Sequence, residues 1–130
     1  MEYEDFECKL IEMLLYGEDE VFIKLKKQYD TAKIASRDFS DVGFFTRFSI
    51  PQSDDLCTDR KSFYIGDVDG MVDGIEGAVG FVLFVKDGYI SMLEGYTNAI
   101  DKWPKSYDVI ALSYDSGDKR NIVRLMEKWE

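Results

Sequence analysis

The sequence predicts a single α+β domain with an N-terminal helical hairpin, a central antiparallel β-sheet meander and a C-terminal helix. Its 130 residues, 45% of them hydrophobic, suit one domain, residues 1–130, with enough apolar surface for a core. Apolar residues recur at helical spacing near both ends of the chain. In the middle they alternate at the spacing of a strand, with turn residues between the alternating segments.

The helical hairpin is predicted by apolar residues three or four positions apart. They recur through residues 2–16 with carboxylates between them, and Gly17 ends this first helix. Asp19 can cap a second helix over residues 19–30. Because the turn between them is so short, the two helices are expected to run antiparallel.

A first pair of strands is expected after the helices. Residues 44–50 alternate between apolar and polar side chains, and Pro51 stops this strand. Residues 33–38 are expected to pair with it through the turn around Asp41 and Gly43.

The middle of the chain predicts a loop over residues 52–60 and a short strand over residues 62–65. Residues 66–77 contain four glycines and four acids, so they are expected to turn and lie on the surface. The almost unbroken apolar run over residues 79–85 is typical of a central strand covered on both faces.

The strongest hairpin signal in the chain is the dipeptide Asp87-Gly88, because a two-residue hairpin turn needs positive φ angles. Residues 89–96 are therefore the predicted antiparallel partner strand. Residues 109–114 predict another strand, and the spacing of apolar residues over 122–129 predicts the final helix.

Composition excludes several classes of function. With 16 basic and 26 acidic residues the net charge is −10, which disfavours direct nucleic-acid binding. There is no histidine, the commonest general base and transition-metal ligand, and no nucleophile or phosphate-loop motif replaces it. We therefore expect no enzyme activity, no cofactor and no metal.

Two features leave a small enzyme or ligand-binding domain as an alternative. The glycine-rich acidic segment beginning at Asp67 resembles an oxygen-ligand loop, but Met71 and Ala78 stand where an EF-hand needs ligands. Glu94 is the acid best suited to contact a sugar, with Tyr89, Tyr96 and Trp103 nearby in sequence. Whether Glu94, Tyr96 and Trp103 are structural or functional is left open.

The acids are grouped along the chain. Residues 1–20 hold eight acids and one base, residues 51–80 hold seven acids and two bases, and residues 21–50 carry a net charge of +3. Such blocks favour an acidic docking face for a basic protein. The candidate partner-binding residues are Glu4, Glu7, Glu18, Asp19, Glu20, Asp67, Asp69 and Asp73, with Glu2, Asp5 and Glu12 as further N-terminal candidates.

The segment VGFVLFVKDGYISMLEGYT, residues 79–97, is followed by Trp103-Pro104. This signature resembles that of small uncharacterised bacterial proteins, some of which are similar to immunity proteins encoded beside secreted toxins. The resemblance implies a protein that binds and neutralises a cognate toxin. It assigns no individual functional residue, because immunity families vary most at the surface that meets the toxin.

The sequence thus predicts a monomeric, cytoplasmic, immunity-type protein that presents an acidic surface to a toxin, with nucleases as one class of target. The acidic N-terminal segment does not have the pattern of an export signal, and no apolar run is long enough to cross a membrane. Cys8 and Cys57 are expected to be reduced thiols. An acidic nucleic-acid mimic is a further alternative, since it shares the acidic face and differs only in its partner.

Overall fold

The computed structural model describes residues 2–59, 62–73, 77–97 and 102–129. Within these ranges lie three α-helices and six strands, which confirms the predicted α+β class. The helices are α1 (Tyr3–Leu14), α2 (Glu20–Asp30) and α3 (Ile122–Glu127). The strands are β1 (Lys33–Ser40), β2 (Gly43–Ser49), β3 (Phe63–Val72), β4 (Val79–Lys86), β5 (Tyr89–Tyr96) and β6 (Ile110–Tyr114).

The helical hairpin forms as the sequence predicts. Asp19 caps α2 by accepting a hydrogen bond from the backbone N–H of Val21. Cys8, near the middle of α1, contacts Tyr29 near the end of α2, whereas Gly17 in the turn lies against Phe22 near its start. These contacts give the two helices an antiparallel course.

All six strands form one antiparallel sheet in the order β1-β2-β5-β4-β3-β6. Two segments of it are meanders, namely the β1–β2 hairpin and the run β3–β4–β5. They join where β2 pairs with β5, and β6 returns to pair with β3 at the far edge. Sequential neighbours in the chain therefore account for only part of the strand order.

The core lies between the helices and one face of the sheet. Apolar side chains of α1 and α2 meet the inward residues of β2, β3, β4 and β5, and the ring of Phe6 lies 5.7 Å from that of Phe81. Trp103, in the loop before β6, is buried against Phe44 and Phe81. From the C-terminal segment, Trp129 packs on Phe63. Trp103 is therefore a packing residue of the core.

Two expectations about the sheet are corrected. Residues 66–72 belong to β3 rather than to a surface turn. Val68, Gly70 and Val72 alternate along this segment and are buried on the inward face of the sheet. Residues 74–76 of that predicted turn lie outside the described ranges. The second correction is that β4 is fully buried on one face only, since Val82 and Phe84 on the other face are half-exposed.

Candidate binding surfaces

Glu7 does not belong to a docking face, which corrects the prediction for this residue. Its side chain is 4% exposed and lies between α1 and the β1–β2 hairpin. One carboxylate oxygen accepts a hydrogen bond from Arg37 at 3.0 Å and the other accepts one from Thr46 at 3.0 Å. The pKa of Tyr3 is raised, chiefly through burial and then through the hydrogen bond with Glu7.

Asp67 is likewise buried, and the prediction that it lies on a surface loop is wrong. Its side chain lies on the helix side of the sheet, beside the register shift in β3 between Ile65 and Val68. There both carboxylate oxygens accept hydrogen bonds from Arg120, at 2.7 and 2.8 Å. The carboxylate is therefore part of the structural framework and is not presented to a partner.

Four exposed acids come together at the turn between α1 and α2, and we call them the acidic corner: Glu18, Asp19, Glu20 and Asp59. Asp59, from the loop before β3, lines the same depression of about 90 Å³ as Asp19 and Glu20. Lys24 also lines it, and its ammonium group lies 3.6 Å from Glu20. The fold therefore brings acids of the two acidic sequence blocks to one place.

The acids at the start of α1 lie apart from the acidic corner. Glu4 is in the first turn of α1 and lies 3.7 Å from Arg37, which partly neutralises it. The 12 residues of α1 separate it from the corner by roughly 18 Å at the helical rise per residue. The single N-terminal docking face predicted from charge is thus divided between the two ends of a helix.

The sheet face opposite the helices forms a second distinctive surface, which we call the open sheet face. Antiparallel sheets normally turn polar residues to water on such a face. Here aromatic and other apolar side chains stand beside carboxylates: Phe45, Tyr64, Asp69, Val82, Phe84, Met92, Glu94 and Tyr96. The side chains of Phe45, Tyr64 and Tyr96 are 37%, 47% and 44% exposed, respectively.

Strand register sets the arrangement at the centre of the open sheet face. Asp69, Gly80 and Tyr96 are paired in one row across β3, β4 and β5. Glu94 lies one step away in the neighbouring row, where it is paired with Phe45. Because Gly80 has no side chain, the ring of Tyr96 lies directly on the strand beneath it; a Cβ there would come within 2.4 Å of the ring.

Burial and the two carboxylates at this centre together raise the pKa of the tyrosine beside them. Burial raises the pKa of Tyr96, and the charges of Asp69 and Glu94 raise it further. Burial also raises the pKa of Asp69, followed by the charges of Asp115 and Asp67. Across the described ranges, neither Asp69 nor Glu94 forms an ion pair.

The raised pKa of Asp69 predicts how stability changes when its charge is removed. A carboxyl whose pKa is higher in the folded chain stabilises folding below its unfolded pKa, and this contribution is lost as the pH rises through the folded value. We therefore expect Asp69→Asn to be at least as stable as the wild type at pH 7 in urea unfolding. The difference should disappear at about pH 3. A variant less stable than the wild type at pH 7 would contradict the charge environment described above.

Glu94 and Tyr96 of the alternative ligand site share the open sheet face, but the site as a whole does not come together. Glu94 is on the open sheet face, whereas Trp103 is buried on the helix side. The hydroxyl of Tyr89 is engaged by the backbone of Ser53, as donor to its carbonyl and acceptor from its N–H.

Asp73 is exposed just beyond β3 and is the last of the predicted partner-binding acids.

A groove with a volume of about 580 Å³ lies between α1 and β6. Three tyrosines line it together with Lys9, Glu12 and Asp108, so its charged groups are of both signs.

In the parts of the chain that the structure describes, no group of three or more His, Cys, Asp or Glu residues is placed to hold a metal ion.

Comparison with known proteins identifies no relative. No family model matches the chain, and no curated protein or solved structure is significantly similar to it. None of the helices described here is both long enough and apolar enough to cross a membrane.

Proposed function

We propose that this chain is a cytoplasmic binding protein of the immunity type, which neutralises a basic toxin by attracting and covering it and has no catalytic role of its own. The observation that carries the proposal is the acidic corner, where acids from two separate blocks of the sequence meet. A binding protein of this kind needs surface charge and contact area, and no cofactor.

The physical argument rests on long-range attraction. A net charge of −10 draws a basic protein toward the chain, and acids grouped at one place concentrate that field locally. Glu18 and Glu20 are exposed, and among the described residues Lys24 is the one base that lines the depression. Exposed charges of this kind alter the association rate more than the affinity of the final complex.

The function is tested with the protein encoded by the adjacent gene. Co-expression of this chain should restore growth to cells that produce that protein, and stopped-flow mixing should give fast association at low ionic strength. The triple variant Glu18→Lys, Glu20→Lys and Asp59→Lys should associate about tenfold more slowly, and the difference should shrink as salt screens the field. Asp19 is left unchanged because it caps α2.

A matched control reverses the same number of exposed acids elsewhere, at Asp30, Asp118 and Glu127. If the acidic corner is the attracting element, the control should slow association by less than about threefold. Equal slowing by both triple variants would show that net charge alone acts. If the adjacent-gene protein neither binds the chain nor loses toxicity in its presence, the proposed function is wrong.

A further inference from the structure

We propose that the open sheet face is a docking surface for a basic protein segment, with arginine or lysine side chains of that segment seated beside Tyr96 between Glu94 and Asp69. The inference rests on the proposed function in taking the partner to be basic. It concerns a surface on the other side of the sheet from the helices and from the acidic corner.

The composition of this face is that of an interface core. Single exposed apolar residues are common on soluble proteins, but contiguous patches mark contact sites. Register places Arg47, Met92, Phe84 and Tyr64 in one continuous row across four strands. Aromatic residues, methionine and arginine are the residue types enriched where proteins bind each other.

The charges on the face select the occupant. Arg47 is paired with Asp38 at 3.0 Å, at the β1–β2 edge of the sheet. At the centre, Asp69 and Glu94 have no such pair within the described ranges. A cation placed between them would meet two carboxylates and the exposed face of a tyrosine ring, which attracts guanidinium and ammonium groups.

The same charges argue against a second copy of this chain as the occupant. Two open sheet faces stacked on each other would bring together the Asp69 and Glu94 carboxylates of both copies, each chain carrying a net charge of −10. Like charges placed opposite each other at an interface are destabilising. A basic segment instead offsets the negative charge that surrounds Asp69 in the free chain.

The experiment follows backbone amide shifts of the isotopically labelled full chain during titration with a nonapeptide of alternating arginine and serine. We expect saturable shifts around Gly80, Glu94 and Tyr96 at lower peptide concentration than any shift around Glu18 and Glu20. A peptide of alternating glutamate and serine should produce no such shifts.

Charge-neutral variants provide the quantitative test. Asp69→Asn with Glu94→Gln should raise the Kd of the arginine peptide about tenfold, whereas the matched pair Glu18→Gln with Glu20→Gln should change it less than about twofold. Tyr96→Leu keeps an apolar side chain over Gly80 and should weaken binding about threefold by removing the ring face. Dispersed amide spectra establish that each variant is folded.

Three results would overturn the inference. They are shifts confined to the acidic corner, an unchanged Kd in the Asp69→Asn, Glu94→Gln variant, and sheet-face shifts produced by protein concentration alone, which would make a second copy the occupant. None of these decides the proposed function, since neutralisation by the chain is measured separately with the adjacent-gene protein. Loss of neutralisation with intact peptide binding would reject the function and keep the docking surface.

Discussion

Arg120→Met is expected to lower the free energy of unfolding by about 3 to 5 kcal/mol, because it leaves the Asp67 carboxylate buried without its cation. Both side chains of this pair are almost inaccessible, at 1% and 6% exposure. The guanidinium also donates to the carbonyls of Leu14 and Tyr16 at the end of α1. One side chain thus supplies the hydrogen-bond donors for a carboxylate on a strand and for carbonyl groups at a helix terminus. Urea unfolding followed by circular dichroism measures the loss.

The control is Arg124→Met, which removes the same charge from an exposed pair. Arg124 lies 2.6 Å from Asp115, but its side chain is 49% exposed. Ion pairs in such a setting contribute at most about 1 kcal/mol, so this variant should unfold close to the wild-type midpoint. Similar losses in the two arginine variants would mean that Asp67 is not buried as described. If Arg120→Met does not fold at all, Asp67→Asn, which keeps a polar side chain in the same place, supplies the measurable comparison.

The parts of the fold that the sequence predicts well are those set by local backbone chemistry. The Asp87-Gly88 turn forms with φ of 52° and 88°, the positive values that its two residues were expected to adopt. It sets the first two pairs of β4 and β5, Lys86 with Tyr89 and Val85 with Ile90, before the register shifts between Phe84 and Val85. The cap at Asp19 similarly fixes the start of α2. Each depends on residues adjacent in sequence, so no distant partner had to be known.

The extent of β3 could not be predicted in this way. Strict alternation from Phe63 and Ile65 would point the side chains of Asp67 and then Asp69 into the core. Because acids are unsuited to a core, this pattern predicts a surface segment. The bulge shifts the inward positions to Val68 and beyond, and the buried charge becomes tolerable only because Arg120, 53 residues later, pairs with it. That compensation is non-local and leaves no periodic signal.

The candidate surfaces were only partly predictable for a related reason. Glu7 lies four residues after Tyr3, on the apolar side of α1, and this spacing was a signal that it faces inward. Counting charges along the chain could not show it. The open sheet face was hidden because the apolar run of β4 was interpreted as covered on both sides, whereas Val82 and Phe84 are left half-exposed.

Phe81→Ala is expected to cost about 3 to 5 kcal/mol, because it removes a ring from the centre of the core and leaves a cavity there. Phe81 is 1% exposed, and its ring centroid lies 5.7 Å from that of Phe6 and 5.9 Å from that of Trp103. The substitution therefore removes the contacts that join the sheet to α1 and to the loop before β6. The change is measured as the shift in urea midpoint at constant slope.

The matched control is Phe84→Ala, the same chemical change three residues along β4 and on the opposite face. Its ring is half-exposed on the open sheet face, so less apolar surface returns to water on unfolding, and no closed cavity forms. We expect a loss of at most about 1.5 kcal/mol, half or less of that for Phe81. Equal losses for the two variants would show that both faces of β4 are covered in solution. In that case the open sheet face would not be free to dock a partner.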